Sequence, residues 1–154
     1  MKLSSMRRID YFVGVPVTFV LTSLVRLMSL FRPPRASGAS RRILFIELSE
    51  MGSTILASTT IRRVQERYPG SQHAFAIFRK NAASLRLLSL FDERHIFTLR
   101  DDSLPHLAAD VLAFMRFCWE ERIDTVIDLE LFSRISSILS LIAGATTRVG
   151  FHNY

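Results

Sequence analysis

Arg42-Ile43-Leu44-Phe45-Ile46-Glu47-Leu48-Ser49-Glu50-Met51-Gly52-Ser53-Thr54-Ile55-Leu56 is the stretch whose reading decides the fold. Ile43–Ile46 is a short, unbroken apolar run, which fits a strand buried on both faces. Glu50-Met51-Gly52 then forms a glycine turn, and the spacing predicts an amphipathic helix opening at Ser53 or Thr54. Ala57, Ile61, Val64 and Tyr68 recur along one face of it, and Tyr68-Pro69-Gly70 stops it. Strand, glycine turn and helix together are the first unit of a doubly wound α/β domain. The turn lies at the carboxyl end of the strand, where such folds bind their ligands.

Downstream, the same alternation continues. Ala74–Phe78 reads as a second strand, and Asn81 as the cap of a helix running through Phe91 with Leu85, Leu88 and Phe91 on its apolar face. Ile96–Leu99 is a short third strand. Asp101-Asp102-Ser103 offers capping residues for a long helix to about Arg122, with Leu104, Ala108, Val111, Met115 and Trp119 at helical spacing. Phe114 and Phe117 widen that surface, and the aromatics read as core. Cys118, the single cysteine, reads as a small buried hydrophobe. Thr125–Leu129 is a fourth strand. Phe132, Ile135, Ile138, Leu139 and Ile142 face one side of a helix that stops at Gly144, and Arg148–Phe151 begins a fifth strand. Five strands alternating with helices predict a Rossmann-like, doubly wound parallel sheet over residues 42–154.

Upstream, the composition changes. The net charge is +6, but residues 1–42 carry eight Lys/Arg against one Asp, whereas residues 43–154 carry twelve against thirteen acidic residues. The folded part is therefore almost neutral, and with no basic stripe on it a nucleic-acid partner is not expected. Residues 1–31 hold an apolar run from Tyr11 to Val25 that resumes after Arg26, with basic residues on both sides. Three readings stay open. A single spanning helix has the length, although Arg26 held deep would cost up to about 3 kcal/mol. A cleaved signal peptide has the right opening but poor cleavage chemistry. A re-entrant helix, weakened early by Gly14 and Pro16, would keep both basic flanks in the cytoplasm and is favoured. A buried core helix is the plain alternative. Residues 32–41, rich in Pro, Ser and Gly, read as linker.

Two separated stretches resemble glycosyltransferase family 9, the lipopolysaccharide heptosyltransferase-like enzymes. Ser49-Glu50-Met51-Gly52-Ser53 is similar to the family's S-x-M-G-D turn. Ile123–Leu129, then Ser133 to Gly144, then Thr147-Arg148-Val149-Gly150-Phe151 is similar to a second run in the same order. The resemblance implies the N-terminal half of a GT-B fold and transfer of a sugar from a nucleotide-sugar to a membrane glycolipid acceptor. It implies no metal and no cofactor beyond that donor substrate, and a place on the cytoplasmic face of the bacterial inner membrane. It also implies that Ser49 and Gly52 bind substrate. Asp128, near the carboxyl end of the fourth strand, faces the same rim and is a further substrate-binding candidate. The apolar run itself sets the membrane contact at Tyr11, Pro16 and Arg26. One departure bears on catalysis: the family's catalytic aspartate is Ser53 here. A serine can cap the helix, but it cannot be a carboxylate base. Glu50 is the replacement candidate, with Glu47 next. Asp128 has an alternative role as a helix-capping or loop carboxylate.

Set beside that family, the chain ending at Tyr154 reads as an N-terminal fragment whose missing C-terminal domain would hold the donor. The alternative function is a membrane-tethered Rossmann-like module that binds without catalysing. The first loop lacks G-x-G-x-x-G, so a dinucleotide site is not expected, and no G-K-[ST] supplies a phosphate-binding loop. The four histidines, at 73, 95, 106 and 152, show no metal-ligand spacing.

Overall fold

The apolar run at 43–46 is the middle of a parallel sheet in a computed structural model that describes residues 41–48, 51–131 and 133–151. Strand β1 (Arg42–Ile46) is followed by helix α1 (Met51–Arg67), β2 (Gln72–Phe78), α2 (Ala82–Leu88), β3 (Ile96–Leu99), α3 (Leu104–Glu120), β4 (Thr125–Asp128), α4 (Arg134–Ile142) and β5 (Thr147–Val149). The strand order is β3-β2-β1-β4-β5, and every pairing is parallel. The chain runs outward from β1 to β3, then crosses back to place β4 on the other side of β1. That reversal is the topological switch of a Rossmann-like sheet, and it opens a crevice at the carboxyl ends of β1 and β4.

Alternation along the strands divides the core in two. On one face Ile43, Phe45, Phe75 and Ile77 meet Ile61 of α1 and Leu85 of α2, with Ile127 and Leu129 packed alongside. Phe91 completes this layer from a loop, edge-on to Phe45 at 5.9 Å and to Phe75 at 5.2 Å. On the other face Leu44, Ile46, Ala74, Ala76 and Val126 are buried. There α3 covers β3 by setting Phe114 and Phe117 against Phe97, at 5.4 and 5.2 Å. Each fully buried phenylalanine contributes roughly 1.5–3 kcal/mol.

Several boundaries and faces differ from the expectations. Helix α1 opens at Met51, so Ser53 is its third residue and does not occupy the capping position. Asn81 stands at the cap of α2 but makes no capping hydrogen bond; its amide donates to the Leu48 carbonyl at 2.8 Å. Helix α2 ends at Leu88 because Ser89 adopts a left-handed conformation, φ 48°, and Phe91 reaches the core without being helical. Along α3 the buried line is Asp110, Phe114 and Cys118, while Leu104 and Trp119 are 82% and 71% exposed. Ser103 does cap that helix, accepting from His106 N. Helix α4 buries Ser136, Leu139, Ser140 and Ile142 and leaves Ile135 exposed. It ends where Gly144 takes φ 64°, a turn that favours glycine.

Among the described residues no helix is long and apolar enough to cross a membrane. The expected anchor, with Tyr11, Pro16 and Arg26, and the linker up to Ser40 lie outside the described residues, as do Ser49, Glu50, Phe132 and Tyr154.

Candidate functional site

Two sequence-predicted residues sit at the start of α1. Gly52 is exposed and Ser53 half-buried in the first helical turn, directly beyond the carboxyl end of β1. A Cβ added at Gly52 would meet nothing within 4 Å, so the structure leaves open space for close approach there. Leu48, the last described residue before this turn, is held from two sides. Its N–H donates to Glu130 Oε2 at 2.8 Å, and its carbonyl accepts from Asn81. Glu47 is 3% exposed, which sets it beneath the rim.

Asp128 is the third. It closes β4, paired in register with Ile46 of β1, so it stands at the same carboxyl rim. The faces differ, however. Its neighbours Ile127 and Leu129 pack toward α1 and α2, and strand alternation turns Asp128 toward α4. Ser140 of α4 donates to Asp128 Oδ2 at 3.3 Å, and the Glu130 N–H donates to Oδ1 at 3.1 Å. The loop-carboxylate role foreseen for Asp128 is thus present in the bond to Glu130. No hydrogen bond joins Gly52 or Ser53 to Asp128 among the described residues. The three share a rim without forming one cluster.

Asp128 does line a cleft of about 360 Å³ between α4 and β5. Ser137, Ser140 and Leu141 form the α4 wall, and Arg148, Val149 and Gly150 the β5 wall. Gly150 matters here because of what a side chain would strike: a Cβ at this position would lie 3.0 Å from Asp128 Cβ and 3.4 Å from its carbonyl oxygen. Glycine leaves this approach to the aspartate free of a tight side-chain contact. Burial pushes the Asp128 carboxyl above the ordinary carboxylate range, and the hydrogen bonds from serine and from the Glu130 backbone offset that only in part. Arg148 is exposed and, among the described residues, paired with no carboxylate.

Ser137, Ser140, Arg148 and Gly150 were not singled out by sequence reasoning, although they lie in stretches it quoted. Their signal was available in part: Ser136, Ser137 and Ser140 recur at helical spacing on α4. The register of β4 against β5, which sets Ile127 opposite Val149 and so Asp128 beside Gly150, has no local sequence mark. Among the described residues no group of three or more His, Cys, Asp or Glu could hold a metal ion. No protein-family model matches the chain, and no curated protein matches it either.

Proposed function

We propose that the chain is the acceptor-side domain of a glycosyltransferase similar to the lipopolysaccharide heptosyltransferases, tethered by residues 1–31 to the cytoplasmic face of the bacterial inner membrane. The observation that carries the reading is Asp128: a half-buried carboxylate at the switch point of a 3-2-1-4-5 parallel sheet, lining a ligand-sized cleft. The two motif stretches both reach the carboxyl rim of the sheet, one opening α1 and the other forming β4, α4 and β5, and only the second lines the cleft. In the reaction this implies, a carboxylate takes the proton of an acceptor hydroxyl. The oxygen then bonds to the anomeric carbon, and the nucleoside diphosphate leaves with the electron pair of the broken C–O bond. No metal is required. Glu50, from the resemblance, and Asp128, from its place at the end of β4, are the candidate bases, and Ser53 is not one.

A donor-binding domain would complete the site. Proximity alone can account for about 7–11 kcal/mol of a barrier, against roughly 3–5 kcal/mol for a general base. The chain by itself should therefore transfer no sugar, and Ser53→Asp in it should restore nothing. The test supplies a radiolabelled nucleotide-sugar and a membrane lipid extract to the chain, alone and joined to a donor-binding domain of the same family. Label in lipid only with both domains is the expected result. Label in neither arrangement, with both parts folded, would sink the transferase reading and leave the second one, a tethered binding module. That alternative draws on the serine at position 53. Membrane attachment is checked separately: the chain should stay in the pellet after a carbonate wash, and a version starting at Ser40 should not.

A further inference from the structure

Helix α3 has two apolar sides, and the sheet uses one of them. The buried line of Asp110, Phe114 and Cys118 lies roughly a third of a turn round the helix from a second line, Leu104, Ala108, Leu112, Met115 and Trp119. On that second line Leu104 is 82% exposed, Leu112 68% and Trp119 71%; Ala108 is exposed as well and Met115 is half-buried. A lone exposed leucine needs no account, but three large apolar side chains aligned over about four turns form a patch. A helix that lies on a membrane surface flanks such a patch with Lys and Arg. Within α3 the only such residue is Arg116, which is paired with Glu120 at 2.7 Å. Residues 100–122 hold five Asp or Glu against three Arg, a balance that an anionic lipid surface repels. The chemistry of the patch is that of a protein interface.

The spacing of the patch says which protein fits it. Leu104, Ala108, Val111 and Met115 alternate steps of four and three, the seam spacing of paired helices, with Trp119 next along. Set antiparallel on a copy of itself, with a two-fold axis between positions 111 and 112, the line meets its own complement. Leu104 falls opposite the partner's Trp119, Ala108 opposite the partner's Met115, and Val111 opposite the partner's Leu112. A shorter side chain faces a longer one at every step. Parallel packing would instead set tryptophan on tryptophan and alanine on alanine, crowding one end and leaving a gap at the other. We propose that the chain pairs with a second copy of itself through this face of α3, as an antiparallel, two-fold dimer. The exposed side chains offer on the order of 500 Å² per copy and ~1,000 Å² per pair, at the lower bound for a specific interface. Such a dimer is weak and reversible. Helix α3 packs on β3, at the opposite end of the sheet from the cleft of Asp128. The pairing therefore goes beyond the transferase reading and does not depend on it.

The experiment follows the full chain in detergent micelles by sedimentation equilibrium. Its mass should pass from one copy to two between about 1 and 100 μM protein. Leu112→Asp sets two like charges beside the two-fold axis and should weaken pairing by at least about a hundredfold. Its circular dichroism and melting should match the parent, because Leu112 is exposed. Leu87→Asp, at a still more exposed leucine of α2, should pair as the parent does. Orientation is read with a short bis-maleimide cross-linker. The parent's single cysteine, Cys118, is buried and sets the background. Leu112→Cys should link to itself. Leu104→Cys should not do so alone, but should link to Trp119→Cys when the two variants are mixed. The proposal fails if the parent stays a single copy throughout, if Leu112→Asp pairs as tightly as the parent, or if Leu104→Cys links to itself. An unpaired parent whose Leu112→Asp variant leaves carbonate-washed membranes would give the patch to lipid. A link from position 112 to a different polypeptide alone would give it to another protein. Either result overturns the dimer.

Discussion

At the β3 flank of the sheet, Asp110 of α3 is held by Arg100: the guanidinium donates from Nε at 2.9 Å and from Nη2 at 2.6 Å, and the Arg100 backbone N–H adds 2.7 Å. The hydrogen-bonded Arg100 side chain holds the Asp110 carboxyl below the ordinary carboxylate range. At the β5 flank, Asp128 meets two serines' worth of polar helix, a backbone N–H and open cleft. Burial there pushes its carboxyl the other way. The flanks also differ in cover. Phe97 of β3 is packed by two phenylalanines of α3, whereas all three residues of β5 are exposed. One flank uses its aspartate to fasten a helix to the sheet. The other buries part of its aspartate, and that burial disfavours the charged form.

The largest expected effect separates the flanks by packing. Phe114→Ala, fully buried on the β3 side, should destabilise by about 3–5 kcal/mol in urea denaturation. Val149→Ala, 55% exposed on β5, should stay within about 0.5 kcal/mol of the parent. Comparable losses from both would erase the contrast in cover.

Next in size is Gly150→Ala. The added methyl at 3.0 Å from Asp128 Cβ is a tight contact that the aspartate must relieve by a few tenths of an ångström, an overpacking cost of up to roughly 1–3 kcal/mol. Amide shifts at Asp128 and Ser140 should respond while those at Arg100 and Asp110 stay put. Silence at Asp128 would mean that β5 is not seated against it.

A smaller, pH-dependent effect should come from Asp110→Asn. A depressed folded-state pKa contributes stability above the unfolded carboxylate value, and that contribution is lost as pH falls through the folded value. The variant should therefore melt below the parent at neutral pH, with the gap closing in acid. A gap independent of pH would assign the loss to packing and not to the ion pair.

How far the sequence foretold these flanks depends on what kind of interaction each part uses. The sheet was legible because β1 and β2 are nearly continuous apolar runs, and Ile96–Leu99 fell where expected. The inner face of α3 was misjudged because the helix is apolar nearly all round. Spacing alone favoured Leu104 and Trp119, while the true buried line contains Asp110, a charge that only its bond to Arg100 makes tolerable there. Helix α4 hid its site for the related reason that Ser136 and Ser140 are buried polar residues facing a polar partner. Asn81 was expected at a cap and serves the β1 loop instead, through a bond spanning thirty-three positions. Asp128 was named from its strand end. Its cleft partners depend on strand register and helix docking, which no local pattern encodes.

The most direct test of the claim that Asp128 is kept for a ligand is the stability of Asp128→Asn as a function of pH. A carboxyl whose folded-state pKa is raised contributes stability below its unfolded value and loses it as pH rises through the folded one. At neutral pH the charged, partly buried group is therefore a net cost that asparagine removes, while the Glu130 N–H can still find an acceptor. The account predicts that the variant melts above the parent at neutral pH and that the advantage vanishes below the ordinary carboxylate range. A variant that melts below the parent at neutral pH, with the deficit closing in acid as for Asp110→Asn, would make Asp128 a structural anchor and contradict the claim.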